Sequence, residues 1–238
     1  MARTAAFDRN TAAYESWFER HPRAYAAELR AVGDALPRNG RLLEVGVGSG
    51  RFAVPLGIRL GVEPSSAMGA LARRRGVRVV RGVAEALPFG AGTFDGVVLV
   101  TTICFVDDPL RTMVEARRVL RPGGVLVIGF VDAASPLGLA YRRRAARSNF
   151  YREATFYTCD DLVALLERAG FRAPTVRQTL FDGDPERRRA DAVLPGRGRG
   201  AFLVLRAVPR RDDRRTGSAR LSDRPGRARR AGRCRTGA

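Results

Sequence analysis

The chain has 238 residues, of which 45% are hydrophobic, so it is long enough to bury one sizeable core in a single domain with additions. No segment approaches the ~18 consecutive apolar residues of a membrane span, and the N-terminus carries charges where a signal peptide needs an apolar stretch. We therefore expect a cytoplasmic protein that makes no contact with membranes. The three cysteines, Cys104, Cys159 and Cys234, share no short spacing, and neither a disulfide framework nor a metal site is predicted.

The net charge of +19 comes from arginine alone, because the 43 basic residues include no lysine. Residues 209–238 hold 11 arginines against three aspartates, which accounts for +8 of the total. This segment has few apolar residues and no periodicity, so it is predicted to be a disordered tail. The tail could bind polyanions by counterion release; an extension without function in a GC-rich reading frame is the favoured alternative. In residues 1–208 the arginines are scattered over predicted helix faces, where exposure to water is the default.

The N-terminal region, residues 1–39, is predicted to be a helical cap. Its large apolar residues recur at three- and four-residue steps over 11–36, the pattern of an amphipathic helix. They are Tyr14, Trp17, Phe18, Tyr25, Leu29 and Val32. A Pro-Arg-Asn-Gly sequence at 37–40 ends the predicted helix.

From residue 40 to residue 208, apolar strand-like runs alternate with helical segments, which indicates a mostly parallel sheet between two layers of helices. Seven strands are predicted, at 41–46, 58–63, 77–81, 94–102, 125–131, 172–181 and 201–208. Helices are predicted near 51–56, 65–75, 107–120 and 159–169, with a turn at 121–124. The last two strands are expected to form an antiparallel hairpin across a long polar loop.

A glycine-rich turn after the first predicted strand carries the most informative pattern. Gly46, Gly48 and Gly50 allow the backbone to turn tightly and to lie against a ligand. The strand before them ends in Glu44, and the next strand ends in Glu63, at a spacing that suits a carboxylate binding the two hydroxyls of a ribose. A nucleoside-containing cofactor at the first βα turn is therefore predicted; a glycine-rich turn that only packs is the alternative.

The spacing of the glycines distinguishes two kinds of nucleoside cofactor. A dinucleotide fold uses G-x-G-x-x-G, with a pyrophosphate at the helix N-terminus. This chain has G-x-G-x-G, and Glu44 would repel a pyrophosphate but attract an ammonium or sulfonium group. At this point the chain resembles the class I S-adenosylmethionine (SAM)-dependent methyltransferases, whose first motif is (V/L)-(L/D)-(E/D)-x-G-x-G-x-G. An NAD(P)-dependent enzyme is the alternative.

Three further segments match motifs of this family in the same order: 83–89, 94–98 and 117–126. The resemblance covers about residues 40–208 and is closest to the small-molecule subgroup of the ubiquinone/menaquinone-biosynthesis type, methyltransferase domain 11. It implies a Rossmann-like sandwich, SAM as cofactor and methyl transfer to a small-molecule acceptor.

The resemblance also implies which residues contact the cofactor. The three glycines would lie against the methionyl moiety, with Glu44 near its cationic end, and Glu63 would accept hydrogen bonds from the ribose hydroxyls. Met68 would pack on the adenine, beside Ala84 and Glu85. The expected cofactor-binding residues are Glu44, Val45, Gly46, Gly48, Ser49, Gly50, Glu63, Pro64, Met68, Ala84, Glu85 and Thr101.

The acceptor pocket is expected to come from the N-terminal region and from the insertion at 132–157, with Tyr14, Trp17, Phe105 and Tyr141 in its wall. The aromatic residues of the N-terminal region would form a lid over the cofactor, or else plain helix core. Many relatives carry a histidine after the fourth strand, and this chain has none there, so no catalytic residue is assigned. His21, the single histidine, lies beside Pro22 at a predicted break in the N-terminal helical region and is expected to be a surface or capping residue.

Arginines interleaved with aromatic residues in the insertion could bind an acidic or aromatic acceptor, or RNA. An amphipathic helix with its arginines in water is slightly favoured over both. A SAM-binding relative without catalysis, or an RNA-associated basic protein on the same fold, is therefore kept as the alternative to a small-molecule methyltransferase. No motif identifies the acceptor or the oligomeric state.

Overall fold

The computed structural model describes residues 4–181 and 192–210. Its centre is an eight-stranded sheet in the order β3-β2-β1-β4-β5-β8-β6-β7. The first five strands pair in parallel, whereas β8 runs antiparallel to both β5 and β6, and β7 antiparallel to β6. The strands are β1 (Leu42–Val45), β2 (Leu60–Val62), β3 (Arg78–Val80), β4 (Phe94–Val100), β5 (Leu120–Val131), β6 (Thr175–Thr179), β7 (Leu194–Pro195) and β8 (Phe202–Ala207).

The helices are α1 (Ala5–Arg9), α2 (Thr11–Arg20), α3 (Pro22–Gly33), α4 (Ser66–Arg74), α5 (Pro109–Val119), α6 (Pro136–Arg144) and α7 (Cys159–Arg168). Two short 3₁₀ turns, Ala145–Arg147 and Tyr151–Glu153, follow α6. The last four helices each begin at a polar side chain that accepts a hydrogen bond from a free backbone N–H of the first turn. These caps are Ser65, Asp108, Ser135 and Thr158.

Apolar side chains fill both faces of the sheet, which gives the molecule its three layers. Successive residues of β4 enter opposite cores, because side chains alternate along a strand. Val97 and Leu99 pack in the core that includes residues of α5 and α7, whereas Val98 and Val100 pack in the core that includes residues of α3 and α4. A strand buried on both faces is continuously apolar, which explains why β4 was predictable from the sequence.

The order of the strands reverses beside β1, since the chain continues from β1 to β2 on one side and from β4 to β5 on the other. In open α/β sheets, the crevice at such a switch point lies at the carboxyl ends of the strands and receives ligands. Glu44 sits near the carboxyl end of β1, paired in register with Gly61 of β2 and Val98 of β4. The fold therefore places the predicted glycine-rich turn at this crevice.

The predicted sandwich with its antiparallel end is confirmed, but the sheet has eight strands rather than seven. The additional strand, Leu194–Pro195, is a two-residue edge strand beside β6, too short to show a period of two. The predicted turn at 121–124 lies inside β5, which already begins at Leu120. Leu120 pairs with Phe94 and Val125 with Gly96, so the four residues between them bulge out of the ladder, with Gly123 at a φ of 82°.

The helical region expected over 11–36 forms α2 and α3, with the expected break at His21, because Pro22 cannot donate to the preceding turn and instead begins α3. One helix prediction needs correction. The helix expected near 51–56 is a series of turns over 51–57. Pro55 removes a backbone donor there, and Gly57 has a φ of 70°, which ends any helical path.

The predicted disordered tail falls on residues that lie, apart from the first two, outside the described part of the chain. Pro209 bridges Phe171, and the backbone N–H of Arg210 donates to Gly170 O at 2.8 Å. Within residues 4–181 and 192–210, no helix combines the length and the apolar character that crossing a bilayer requires.

Candidate cofactor and acceptor site

The turn after β1 follows a path that its glycines make possible. Gly46, Gly48 and Gly50 have φ values of 69°, 55° and 85°, in the region that disfavours other residues. A Cβ at Gly46 would lie 2.4 Å from the side chain of Thr102, and a Cβ at Gly48 would lie 3.2 Å from Tyr14 Oη. The turn therefore passes too close to its neighbours for larger residues, and it exposes backbone to the crevice.

Glu63 is held at the end of β2 by two backbone donors. Its Oε2 accepts a hydrogen bond from Gly48 N at 2.8 Å, and its Oε1 accepts one from Ser65 N at 2.9 Å. The side chain is 8% exposed, and burial raises the pKa of Glu63 despite these two bonds. Each carboxylate oxygen has a second lone pair, so Glu63 can still accept two hydrogen bonds from a diol.

Glu44 is buried more deeply and is less well partnered. It is 2% exposed, and its Oε2 has no hydrogen-bond partner among the described residues. Burial, and after it the charge of Glu63, raise the pKa of Glu44 well above its usual range. Unpartnered polar atoms are rare in protein interiors. A ligand group that is cationic, or that donates a hydrogen bond, would give Glu44 Oε2 the partner that it lacks.

A single cavity of about 810 Å³ begins at this turn, a size in the usual range for small-molecule sites. It brings together most of the residues that the sequence placed in the site. Those in its wall are Tyr14, Trp17, Gly46, Gly48, Glu63, Pro64, Met68, Ala84, Glu85, Thr101, Phe105 and Tyr141.

Four predicted cofactor residues lie behind the turn instead of in the cavity wall. Glu44 and Val45 are buried in β1, and the backbone oxygen of Ser49 accepts a hydrogen bond from Arg75 Nη1 at 2.7 Å. Gly50 packs against α4, where a Cβ would lie 3.4 Å from the Cα of Ala72. These residues support the turn on the side that faces away from the cavity.

The side chain of Glu85 is engaged in holding a loop. Its Oε1 accepts hydrogen bonds from the backbone N–H groups of Asp107 at 2.7 Å and Asp108 at 3.2 Å. This contact fixes the segment before α5 beside the segment after β3. Met68, 1% exposed, lies on α4 at the same end of the cavity wall as Glu63.

The end of β4 contains a strained residue at the cavity. Thr101 has a φ of 49°, a left-handed conformation that disfavours β-branched residues. Its N–H donates to Gly129 O at 2.8 Å, and the neighbouring Thr102 Oγ1 donates to Gly46 O at 3.3 Å. Strain of this kind is concentrated at functional sites, and here it turns the chain at the crevice floor.

The N-terminal helices cover the cavity and are anchored by two acids. Asp8 accepts hydrogen bonds from Ser65 Oγ at 2.5 Å and from Ala67 N at 3.3 Å, which joins α1 to the start of α4. Glu15 on α2 accepts from Arg51 Nε at 2.9 Å and from Arg75 Nη1 at 3.1 Å. Burial opposes ionisation, but hydrogen bonds from these arginines still lower the pKa of Glu15 to about 2.

Aromatic rings line the part of the cavity beneath these helices. The ring centroids of Phe7 and Phe105 are 4.9 Å apart, and Tyr141 and Tyr151 stack at 5.0 Å. His21 also lines the cavity, with its ring stacked on Trp17 at 5.0 Å. This apolar region adjoins the glycine-rich turn within one continuous space.

Phe7 and Glu28 are among the residues of the cavity wall that sequence reasoning missed. Phe7 belongs to α1, which is five residues long and shows no periodicity. Glu28 had a signal, because it is the one charged residue in the buried stripe of α3 that includes Ala24, Ala27 and Ala31.

Comparisons with known proteins agree with this geometry. A methyltransferase-domain family model matches residues 43–128. A SAM-dependent methyltransferase of Thermotoga maritima, described as a possible histamine N-methyltransferase, has a crystal structure that is 47% identical, with a TM-score of 0.85 over 87% of this chain and 100% of that chain. An uncharacterized protein of Mycobacterium tuberculosis is 43% identical over 87% of this chain and 75% of its own. The malonyl-[acyl-carrier protein] O-methyltransferase of Geobacter sulfurreducens is 30% identical over 75% of this chain and 72% of its own.

The fold and the site define a Rossmann-like protein with a nucleoside-type crevice at its switch point. Together with these comparisons, they show that the chain belongs to the SAM-dependent methyltransferase family.

Proposed function

We propose that this chain transfers the methyl group of SAM to a small-molecule acceptor with an aromatic or otherwise apolar body. The observation that carries the proposal is the single cavity, which joins the glycine-rich turn and Glu63 to the aromatic region under α1 and α2. A methyl donor and an acceptor can therefore meet in one space that these helices shield from water.

The residues of the crevice fit SAM. Glu63 would accept hydrogen bonds from the two ribose hydroxyls with its remaining lone pairs, and Met68 and Ala84 would flank the adenine. Gly46 and Gly48 would lie against the methionyl part, whose positive charges the buried carboxyl of Glu44 would balance. When bound, SAM supplies an electrophilic methyl group on a cationic sulfur.

The protein's contribution to such a reaction is alignment and the exclusion of water. Asp8 and Glu15 hold α1 and α2 over the cavity, and the packed rings of Phe7, Phe105 and Tyr151 give an acceptor an apolar surface. The covered cavity supports a small molecule as acceptor over a nucleic acid, which would need an open basic groove.

The test is a calorimetric titration of the full chain with S-adenosylhomocysteine (SAH), SAM and NADH, followed in parallel through the fluorescence of Trp17. Trp17 is the chain's single tryptophan and lines the cavity, so occupation of the cavity should change its emission. We expect saturable binding of SAH and SAM and none of NADH. Binding of NADH alone, or of no ligand by folded protein, would contradict the proposal.

A further inference from the structure

One acidic side chain in the cavity has no role in binding the cofactor as proposed above. Glu28 projects from the buried stripe of α3, is 5% exposed and lines the cavity. Within the described part of the chain, no hydrogen bond or ion pair reaches its carboxyl group, and burial raises the pKa of Glu28 to about 8. A carboxyl group that no protein donor reaches and that lines a cavity is available to a ligand in that cavity, which points to a ligand group that it meets.

The surroundings of Glu28 place it in the aromatic region of the cavity. Burial, followed by the nearby Glu28 carboxyl group, raises the pKa of Tyr141 to about 12. Tyr14 and Tyr151 also have pKa values raised mainly by burial, with a smaller contribution from the charge of Glu28. Tyrosines from α2, α6 and the turn after α6 therefore share the space into which this carboxyl group faces.

The basic residues of the cavity wall do not neutralise Glu28. The guanidinium of Arg20 donates back to its own helix, to Ser16 O at 3.3 Å, and Arg144 is exposed at the C-terminal end of α6. His21 holds Nδ1 2.9 Å from Trp17 O. A buried carboxyl group among tyrosine rings has the chemistry that recognises an ammonium group on an apolar body, through an ion pair with the carboxylate and apolar contacts with the rings.

We propose that Glu28 binds the amino group of an amine acceptor, flanked by Tyr14, Tyr141 and Tyr151, and receives the proton that the amine must lose. This inference rests on the proposed function and adds to it the acceptor class, an amine on an apolar body, and the residue that recognises it.

The chemical step balances with these groups. The ammonium gives one proton to the Glu28 carboxylate, which frees the nitrogen lone pair. The nitrogen then forms a bond to the methyl carbon while the carbon–sulfur bond breaks and its electron pair remains on sulfur. The positive charge that leaves sulfur reappears on the methylated ammonium.

Binding of an amine at this site should release a proton, and the number of protons released can be measured. At pH 7 the free cavity holds Glu28 mostly protonated, since its pKa is about 8, and an aliphatic amine is protonated in solution. In the complex, the carboxyl group of Glu28 and the amino group together hold one proton fewer than they held apart. This is so whichever of the two groups keeps the proton that they share. Amine binding at pH 7 should therefore release close to one proton, whereas a matched alcohol should release none.

The experiment titrates SAH-saturated full-length protein with 2-phenylethylamine and with 2-phenylethanol, in two buffers of different ionisation enthalpy. We expect the amine to bind at least about tenfold more tightly than the alcohol and to release the proton. Glu28→Gln should lose both the preference and the release yet keep its affinity for SAH. Glu167→Gln, an exposed residue of α7, is the matched control and should behave as the wild type.

Three outcomes would overturn the inference. They are equal binding of amine and alcohol, or of neither, by the wild-type chain; amine binding without proton release; and a Glu28→Gln variant that loses SAH affinity instead, which would assign Glu28 to the cofactor. The first two need no variant. Failure of SAH itself to bind would instead contradict the proposed function, so the two failures are distinguishable.

Discussion

At the scale of single residues, three buried glutamates meet different surroundings, and these surroundings separate their roles. Glu63 accepts two backbone hydrogen bonds and keeps lone pairs towards the crevice. Glu44 lies beneath the turn with one oxygen unpartnered, and Glu28 faces tyrosines. Only Glu63 is both fixed in position and able to accept further hydrogen bonds, and binding of a ribose diol requires both.

Replacement of Glu63 tests the placement of the cofactor. Glu63→Ala removes two charge-assisted acceptors and the anchor of Gly48, so we expect SAH affinity to fall by more than about tenfold with an unchanged circular dichroism spectrum. Calorimetric titration measures the affinity, with exposed Glu167→Ala as the control. A variant that binds SAH as tightly as the wild type would show that the ribose lies elsewhere.

At the scale of elements, the cover over the cavity depends on polar anchors more than on a large apolar interface. Residues of α1 have no buried side chains, and α2 has one, Phe18. The acids Asp8 and Glu15 supply specific attachment to α4 and to the turn after β1. Elements with few buried contacts open more readily than the core, so these anchors set how long a ligand stays.

The ion pairs of Glu15 should therefore control ligand release. Glu15→Ala leaves Arg51 and Arg75 without their shared partner, and we expect SAH to dissociate several times faster while global stability falls by only about 1 kcal/mol. Stopped-flow fluorescence of Trp17 measures the dissociation rate. Glu19→Ala is the control on the same helix, since Glu19 is 71% exposed and 3.7 Å from Arg51. Equal rates of SAH dissociation in both variants would show that Glu15 does not control ligand release.

The sequence predicted those elements whose local pattern and tertiary setting agree. Strand β4 and helix α7 are examples, since the apolar run of a strand buried on two faces and the polar cap at Thr158 both leave a local signature. The edge strand Leu194–Pro195 was missed, because it depends on pairing across the sheet. Local pattern carries no information about such long-range pairing.

The residues of the candidate site also divide into those that a local motif predicts and those that only the fold brings together. Its glycines and Glu63 belong to segments that a motif defines, and Thr101 lies just after another such segment, 94–98. The acceptor side is assembled from α1, α2, α3 and α6, which are distant in sequence, so aromatic periodicity could name Tyr14 and Trp17 but could not distinguish a cavity wall from a core. Glu28 was visible only as a charge inside an apolar stripe, and that observation gains meaning once the cavity is seen beside it.

At the scale of the whole molecule, the acids of this strongly positive chain fall into two sets with opposite pKa shifts. The formal net charge is +19, yet the deeply buried carboxyl groups of the crevice and cavity, Glu28, Glu44 and Glu63, all have pKa values raised by burial. Asp95 and Asp161 have lowered pKa values, are more exposed and accept hydrogen bonds from backbone N–H groups and from side chains. The two sets affect stability in opposite directions and in different pH ranges.

Raised pKa values make the free protein less stable as the pH increases. Glu28 has a pKa of about 8 when folded, against an ordinary value of 4.5, so between these values the native state binds the extra proton. The free energy of unfolding therefore falls as pH rises through this window, by at most about 1.4 kcal/mol per pH unit for one group. Glu28→Gln removes the effect, and its stability relative to the wild type should improve steadily from pH 5 to pH 8.

Urea unfolding of both chains at these two pH values measures the difference, with Glu167→Gln as the reference. Because any loss of packing in the variant is independent of pH, a difference that stays constant would mean that the carboxyl group of Glu28 meets water or a partner in the free protein.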